Sequence, residues 1–222
     1  MTSAAGRGLV IFDIDGTLFR TETATIPAVQ SAFREFRLPS PSIEEVSAFF
    51  GRPDAEFHAW LEERASPDTA AELANAIAAR ELEMVRRVGE LYPGISEALD
   101  ELRREVAQLA ICSNGPEVYV RTVLEAKQLR GFFDAVRWRE DADSTKSGMI
   151  RDVLRRLGAR PAVLIGDRRD DVEAARSNGV FSIGAAYGYG RAGELDEADA
   201  LVGAPAELAE VVRRVLSRHS PR

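Results

Sequence analysis

Leu9-Val10-Ile11-Phe12-Asp13-Ile14-Asp15-Gly16-Thr17 is the stretch on which the reading of this chain turns. Four apolar residues run straight into two carboxylates, a glycine and a hydroxyl, the pattern of a strand buried on both faces that ends in a polar turn. Two later runs repeat it. Leu109-Ala110-Ile111-Cys112 leads into Ser113 and Asn114, and Val163-Leu164-Ile165 leads into Gly166 and Asp167. Shorter strand signals stand at residues 135–138, 180–183 and 200–202. Helical patterns separate these runs: residues 94–105, with Ile95, Ala98, Leu99 and Leu102 on one face, then 118–129 and 150–157. Strand alternating with helix predicts an α/β layered sheet. Residues 20–88 interrupt that rhythm with no credible strand and with long Ala/Glu/Arg-rich stretches such as 69–88. That interval is too long for a loop and reads as a helical insert after the first strand.

Composition removes several classes of function. The 222 residues carry 29 Lys+Arg against 36 Asp+Glu, a net charge of −7, which disfavours a phosphate polymer or an anionic membrane as partner. His58 and His219 are the only histidines and lie far apart, so a Ser-His-Asp triad or a His-rich zinc site is poorly supplied. The single cysteine, Cys112, excludes an intramolecular disulfide and fits a reducing compartment, the cytosol by default. Neither a signal peptide nor a membrane span is expected, because the first apolar run stops at Asp13 and no stretch of apolar residues is long enough.

The chemistry falls where the strands end. In an open parallel sheet the residues just past the carboxyl ends of the strands converge on one crevice. Here these are Asp13, Asp15, Thr17, Ser113, Asn114, Asp167 and, a turn further on, Asp171. Two like charges about 4 Å apart repel by about 4 kcal/mol at an effective dielectric of 20, so the cluster calls for protons or a cation. An all-oxygen donor set favours Mg²⁺.

The order Asp13-Ile14-Asp15-Gly16-Thr17, Ser113-Asn114, Lys146, then Gly166-Asp167-Arg168-Arg169-Asp170-Asp171 resembles the four motifs of the haloacid dehalogenase-like superfamily. Tyr92-Pro93-Gly94 and Gly188-Tyr189-Gly190 look like its phosphoglycolate phosphatase-like members. The resemblance implies a Rossmann-like three-layer core over residues 1–19 and 89–222, with residues 20–88 as a helical cap of the C1 type. It also implies a Mg²⁺-dependent phosphatase acting on a small phosphorylated metabolite. Asp13 would be the nucleophile that forms an aspartyl-phosphate, and Asp15 the acid that protonates the leaving alkoxide and then deprotonates water. Thr17, Ser113, Asn114 and Lys146 would bind the phosphoryl group. Asp13, the Asp15 carbonyl, Asp167 and Asp171 would hold Mg²⁺. In the insert, Arg52 of the Gly51-Arg52-Pro53 turn is a candidate substrate contact. Many relatives have an acid where Arg20 stands and a proline where Ser147 stands, but neither position carries the chemistry.

Competing readings meet specific obstacles. A halide leaves without a proton, so a dehalogenase has no use for Asp15. Phosphonatase-like and phosphomutase members of the superfamily use a cap lysine, and residues 20–88 contain none. A phospho-aspartate signalling protein would share the acidic cluster and the lysine but needs neither Asp15 nor a 70-residue insert. Residues 188–193 match GxGxxG, yet only 29 residues follow Gly193, too few for the helix, strand and ribose-binding acid of a dinucleotide site.

Overall fold

The structure, a computed structural model, describes residues 8–50, 54–106, 108–141, 143–158 and 161–217. The first half of the chain forms β1 (Leu9–Phe12), β2 (Phe19–Arg20), α1 (Glu22–Glu35), α2 (Ile43–Ser47), α3 (Asp54–Glu62), α4 (Pro67–Arg87), β3 (Glu90–Leu91) and α5 (Ile95–Glu105). The second half forms β4 (Gln108–Pro116), α6 (Glu117–Ala126), β5 (Ala135–Arg139), α7 (Lys146–Leu157), β6 (Ala162–Gly166), α8 (Arg169–Ser177), β7 (Phe181–Ala185), β8 (Ala200–Val202) and α9 (Leu208–Ser217). Two compact units result: Met1–Phe19 with Leu91–Arg222, and Arg20–Glu90. The short strands β2 and β3 pair where the chain passes between them.

The first unit is α/β and Rossmann-like, a parallel sheet in the order β5-β4-β1-β6-β7-β8. β1 lies at its centre, with Leu9 opposite Gln108 and Ala162, and Phe12 opposite Ile111 and Ile165. Leu9, Val10, Ile11 and Phe12 are all fully buried, which explains a run without alternation: both faces of the strand are covered. Each such side chain contributes about 1.5–3 kcal/mol by leaving water. From β1 the sheet grows outward to β4 and β5 on one side and to β6, β7 and β8 on the other. The end of β1 is therefore a topological switch point, where residues past β1, β4 and β6 are gathered.

The largest departures from the sequence expectation are at two element boundaries. β4 continues beyond residues 109–112 to Pro116, because after a register shift Pro116 pairs with Arg139 of β5. α7 begins at Lys146 rather than at 150, since the Thr145 side chain caps it by accepting the Gly148 N–H at 3.1 Å.

The second unit is helical. Val29 and Phe33 of α1, Val46 of α2, Trp60 and Leu61 of α3, and Leu73 of α4 form its core. Trp60 is the hub: its ring centroid lies 5.5 Å from that of Phe33, 5.2 Å from Phe49 and 5.4 Å from Phe57. The Arg64 guanidinium sits 4.1 Å from the Trp60 ring centroid. α4 starts where Ser66 caps the Thr69 N–H and Pro67 occupies the first turn, and it ends with Arg86 and Arg87 facing its negative pole. Among the described residues no helix is long and apolar enough to cross a membrane.

Candidate active site

The turn after β1 is wound tightly by its own backbone. The amides of Thr17, Leu18 and Phe19 all donate to the Ile14 carbonyl, at 3.2, 2.8 and 2.9 Å, and the Gly16 amide donates to the Phe19 carbonyl at 3.0 Å. Gly16 has φ +71°, and a Cβ there would fall 2.1 Å from Asp167 Oδ2, so only glycine lets the turn and the carboxylate coexist. Asp13 is fixed by its own amide, which donates to the Ile165 carbonyl of β6 at 2.9 Å.

Lys146, the first residue of α7, is 2% exposed and ties the site together. Its Nζ lies 2.8 Å from Asp13 Oδ1 and 2.9 Å from Asp171 Oδ1. Asp171 stands in the first turn of α8, where its Oδ2 accepts the Arg168 amide at 3.2 Å. Asp167, the residue after β6, is buried, and its Oδ2 accepts the Tyr189 amide at 2.7 Å. Its Oδ1 is buried and makes no hydrogen bond. Asp13, Asp167 and Asp171 each bring a carboxylate oxygen within 4.8 Å of the others.

These charges perturb one another. Burial, together with the charges of Asp13 and Asp171, pushes the Asp167 carboxyl up to about 8. Burial raises Asp171 to about 6 against the pull of Lys146. It also raises Asp13, where Lys146 opposes the shift and Asp15 adds to it. At Lys146 burial favours the neutral amine, but Asp13 and Asp171 outweigh it and hold the amine charged well above the ordinary lysine value. With all four carboxylates of Asp13, Asp15, Asp167 and Asp171 ionised, Lys146 leaves a net −3 in a poorly solvated pocket. An orphaned buried carboxylate oxygen beside two more carboxylates is a donor set that fits a hard, oxygen-seeking divalent cation.

Thr17 and Ser113 are fully buried. Thr17 Oγ1 has no hydrogen-bond partner, and Ser113 Oγ accepts the Gly115 amide at 3.0 Å. Asn114 is different. It is exposed, its Oδ1 accepts from Arg139 Nη2 at 2.9 Å, and its Nδ2 donates to Asp170 Oδ2 at 3.3 Å. Successive residues of an extended strand face opposite ways, which turns Asn114 from the side on which Ser113 is buried. Arg52 lies outside the described residues. Asp170 is exposed while its neighbour Asp171 is buried with the cluster. Cys112 is buried, and burial pushes its thiol up to about 12, which makes it an inert core residue.

Two contacts have no signal in the spacing. Tyr119 of α6 donates its hydroxyl to Asp15 Oδ1 at 2.5 Å, across 104 residues of sequence. Arg168 forms a two-point pair with Glu194, Nε to Oε2 at 2.7 Å and Nη2 to Oε1 at 3.0 Å. That pair ties the loop after β6 to the loop after β7. In the same loop, a Cβ on Gly188 would lie 2.3 Å from the Gly16 carbonyl oxygen and 2.4 Å from Asp167 Cβ. Absence of a side chain there lets the loop close on Asp167.

The chain is similar to known proteins in sequence and in fold. A phosphoglycolate phosphatase of Pseudomonas savastanoi pv. phaseolicola is 28% identical over 222 residues, covering 94% of this chain and 78% of its own length. Among solved structures, a haloacid dehalogenase-like family hydrolase from Streptococcus pneumoniae superposes with a TM-score of 0.78 at 23% identity, over 96% of this chain and 100% of that one. CbbY from Rhodobacter sphaeroides, crystallised with phosphate, gives a TM-score of 0.76 at 24% identity, over 91% and 96%. The family model described as haloacid dehalogenase-like hydrolase matches residues 10–185, the span that holds Asp13, Ser113, Lys146, Asp167 and Asp171. The chain belongs to the haloacid dehalogenase-like hydrolase family.

Proposed function

We propose that the protein is a Mg²⁺-dependent phosphatase that hydrolyses a small phosphomonoester, of the phosphoglycolate, nucleotide or sugar phosphate kind, through an aspartyl-phosphate on Asp13. The observation that carries this reading is Lys146 bridging Asp13 and Asp171 beside the orphaned Asp167 oxygen. Lys146 occupies Asp13 Oδ1, which leaves Oδ2 to attack phosphorus. Asp15 gives its proton to the departing alkoxide and then takes one from the water that cleaves the aspartyl-phosphate, so one difficult hydrolysis becomes two easier steps. The buried Thr17 hydroxyl, which has no partner of its own, and the Ser113 hydroxyl donate to the phosphoryl oxygens, as does Lys146. Asn114 keeps a place in that set only through the second hydrogen of its Nδ2, since its Oδ1 accepts from Arg139 and Nδ2 donates once, to Asp170. Asp13, the Asp15 carbonyl, Asp167 and Asp171 are the groups to hold Mg²⁺, which when bound supplies the positive charge that lets a phosphate dianion approach. Residues 20–88 are read as the helical cap of this enzyme class.

The test is phosphate release from a panel of small phosphomonoesters, with and without Mg²⁺, with Asp13→Asn beside the wild type. Release that requires Mg²⁺ and falls about a thousandfold or more in Asp13→Asn supports the reading. A well-folded Asp13→Asn protein with near wild-type rates would sink it.

A further inference from the structure

Asp15 stands on a turn, with rotatable χ angles and two equivalent oxygens, and its task requires one oxygen to face the reacting bond. Proton transfer needs a heavy-atom separation of about 2.6–3.2 Å, and a misplacement of about 1 Å can cost about a hundredfold in rate. Tyr119 supplies the restraint. It lies in the first turn of α6, directly after Pro116, so its backbone is anchored to the same strand end that carries Ser113. Its ring is buried, only 7% exposed, against Gly115, where an added Cβ would come 2.9 Å from Tyr119 Cδ1. Its hydroxyl meets Asp15 Oδ1 at 2.5 Å, the length of a hydrogen bond from a hydroxyl to a carboxylate.

We propose that Tyr119 is a positioning residue for Asp15: its phenol holds Oδ1, so that Oδ2 is the oxygen that carries the proton to the leaving group and back. The assignment rests on the phosphatase reading and adds to it. As the Asp13–phosphorus bond forms and the ester P–O bond breaks, Oδ2–H passes its proton to the ester oxygen and an alcohol departs. Water then loses a proton to Oδ2 as it attacks phosphorus, the bond to Asp13 breaks, and phosphate leaves with Oδ2–H restored. Tyr119 keeps its own proton throughout.

A tyrosine that merely packed would affect every substrate alike, whereas one that aims the acid matters only when the leaving group needs a proton. The experiment compares kcat/KM, which reports steps up to release of the alcohol, for an alkyl phosphate and for p-nitrophenyl phosphate, whose nitrophenolate leaves as a stable anion. Tyr119→Phe should lose about tenfold or more on the alkyl phosphate and less than about twofold on p-nitrophenyl phosphate, through kcat rather than KM. Asp15→Asn should show the same selectivity more strongly. Gly115→Ala, which displaces the ring but keeps the hydroxyl, should reproduce the skew and decides the matter if Tyr119→Phe melts too low to assay. An equal loss on both substrates, or no loss on either, overturns the assignment. A wild type silent on both substrates overturns the phosphatase reading and Tyr119 with it, a result distinct from an active enzyme with an unskewed ratio.

Discussion

The two units bury different kinds of side chain. In the α/β unit Asp13, Thr17, Ser113, Lys146, Asp167 and Asp171 are buried, whereas among the described residues of Arg20–Glu90 the buried side chains are apolar. Burying charge costs several kcal/mol per ion unless partners are near, so the α/β unit gives up stability at the end of β1 to hold these charges. The helical unit makes no such sacrifice; its aromatic core around Trp60 is ordinary packing. Buried charge and purely apolar packing thus occupy separate stretches of one chain, and that division can be attacked from either side.

The largest effect is expected at Lys146. Lys146→Met leaves Asp13 and Asp171 facing each other without their shared cation, and should lower phosphate release by about a hundredfold or more and stability by about 3 kcal/mol, read by urea denaturation. Trp60→Ala in the helical unit should cost a similar stability, about 3 kcal/mol, while hydrolysis of p-nitrophenyl phosphate below its melting temperature changes less than about threefold. If Trp60→Ala abolished hydrolysis in a folded protein, the division of labour would be wrong.

Mg²⁺ sharpens the contrast further. At a hundredfold excess over its Kd it should stabilise the protein by about 2.7 kcal/mol. Asp167 is raised to about 8 from an unfolded value of about 3.9, so the folded state keeps its proton longer, and stability present in mild acid is lost as pH rises between those values. Metal-free protein should therefore melt lower at pH 8.5 than at pH 6, and the gain from Mg²⁺ should be larger at pH 8.5. An equal gain at both pH values contradicts the carboxylate site.

The smallest effect lies away from the site. Asp134 accepts from Arg103 Nη1 at 2.6 Å and Nη2 at 3.0 Å, and from the Leu109 amide at 2.9 Å. The Arg103 hydrogen bonds hold its carboxyl below the usual range, so its contribution is present above the unfolded carboxylate pKa and disappears as pH falls through the folded one. Asp134→Asn should cost about 1 kcal/mol at pH 7, and the two proteins should converge in stability in strong acid.

What the sequence made legible follows from how strongly each position is constrained by its neighbours in the chain. β1 was readable because burial on both faces demands an unbroken apolar run, and Asp13, Asp167 and Asp171 because they stand at or within a turn of strand ends. The true start of α7 was hidden: its first turn is Lys146-Ser147-Gly148, which carries no apolar periodicity, and its cap is a single threonine. Asn114 could not be separated from Ser113 by adjacency, since its direction depends on Arg139 and Asp170, residues on other elements. Tyr119 left no trace at all, because its meaning lies in a partner 104 residues away. Local pattern reports the backbone and its burial; side-chain pairing between distant elements has to be seen.

The burial of Lys146 has a practical consequence. The chain has two lysines and meets its remaining need for cations with arginine. Amine-directed reagents act on a neutral, accessible amine, and Lys146 is neither, being held charged and 2% exposed. Lys127, at the end of α6, is the more exposed of the two lysines. An active-ester dye or surface linker should therefore leave Lys146, and the carboxylates it pairs with, untouched.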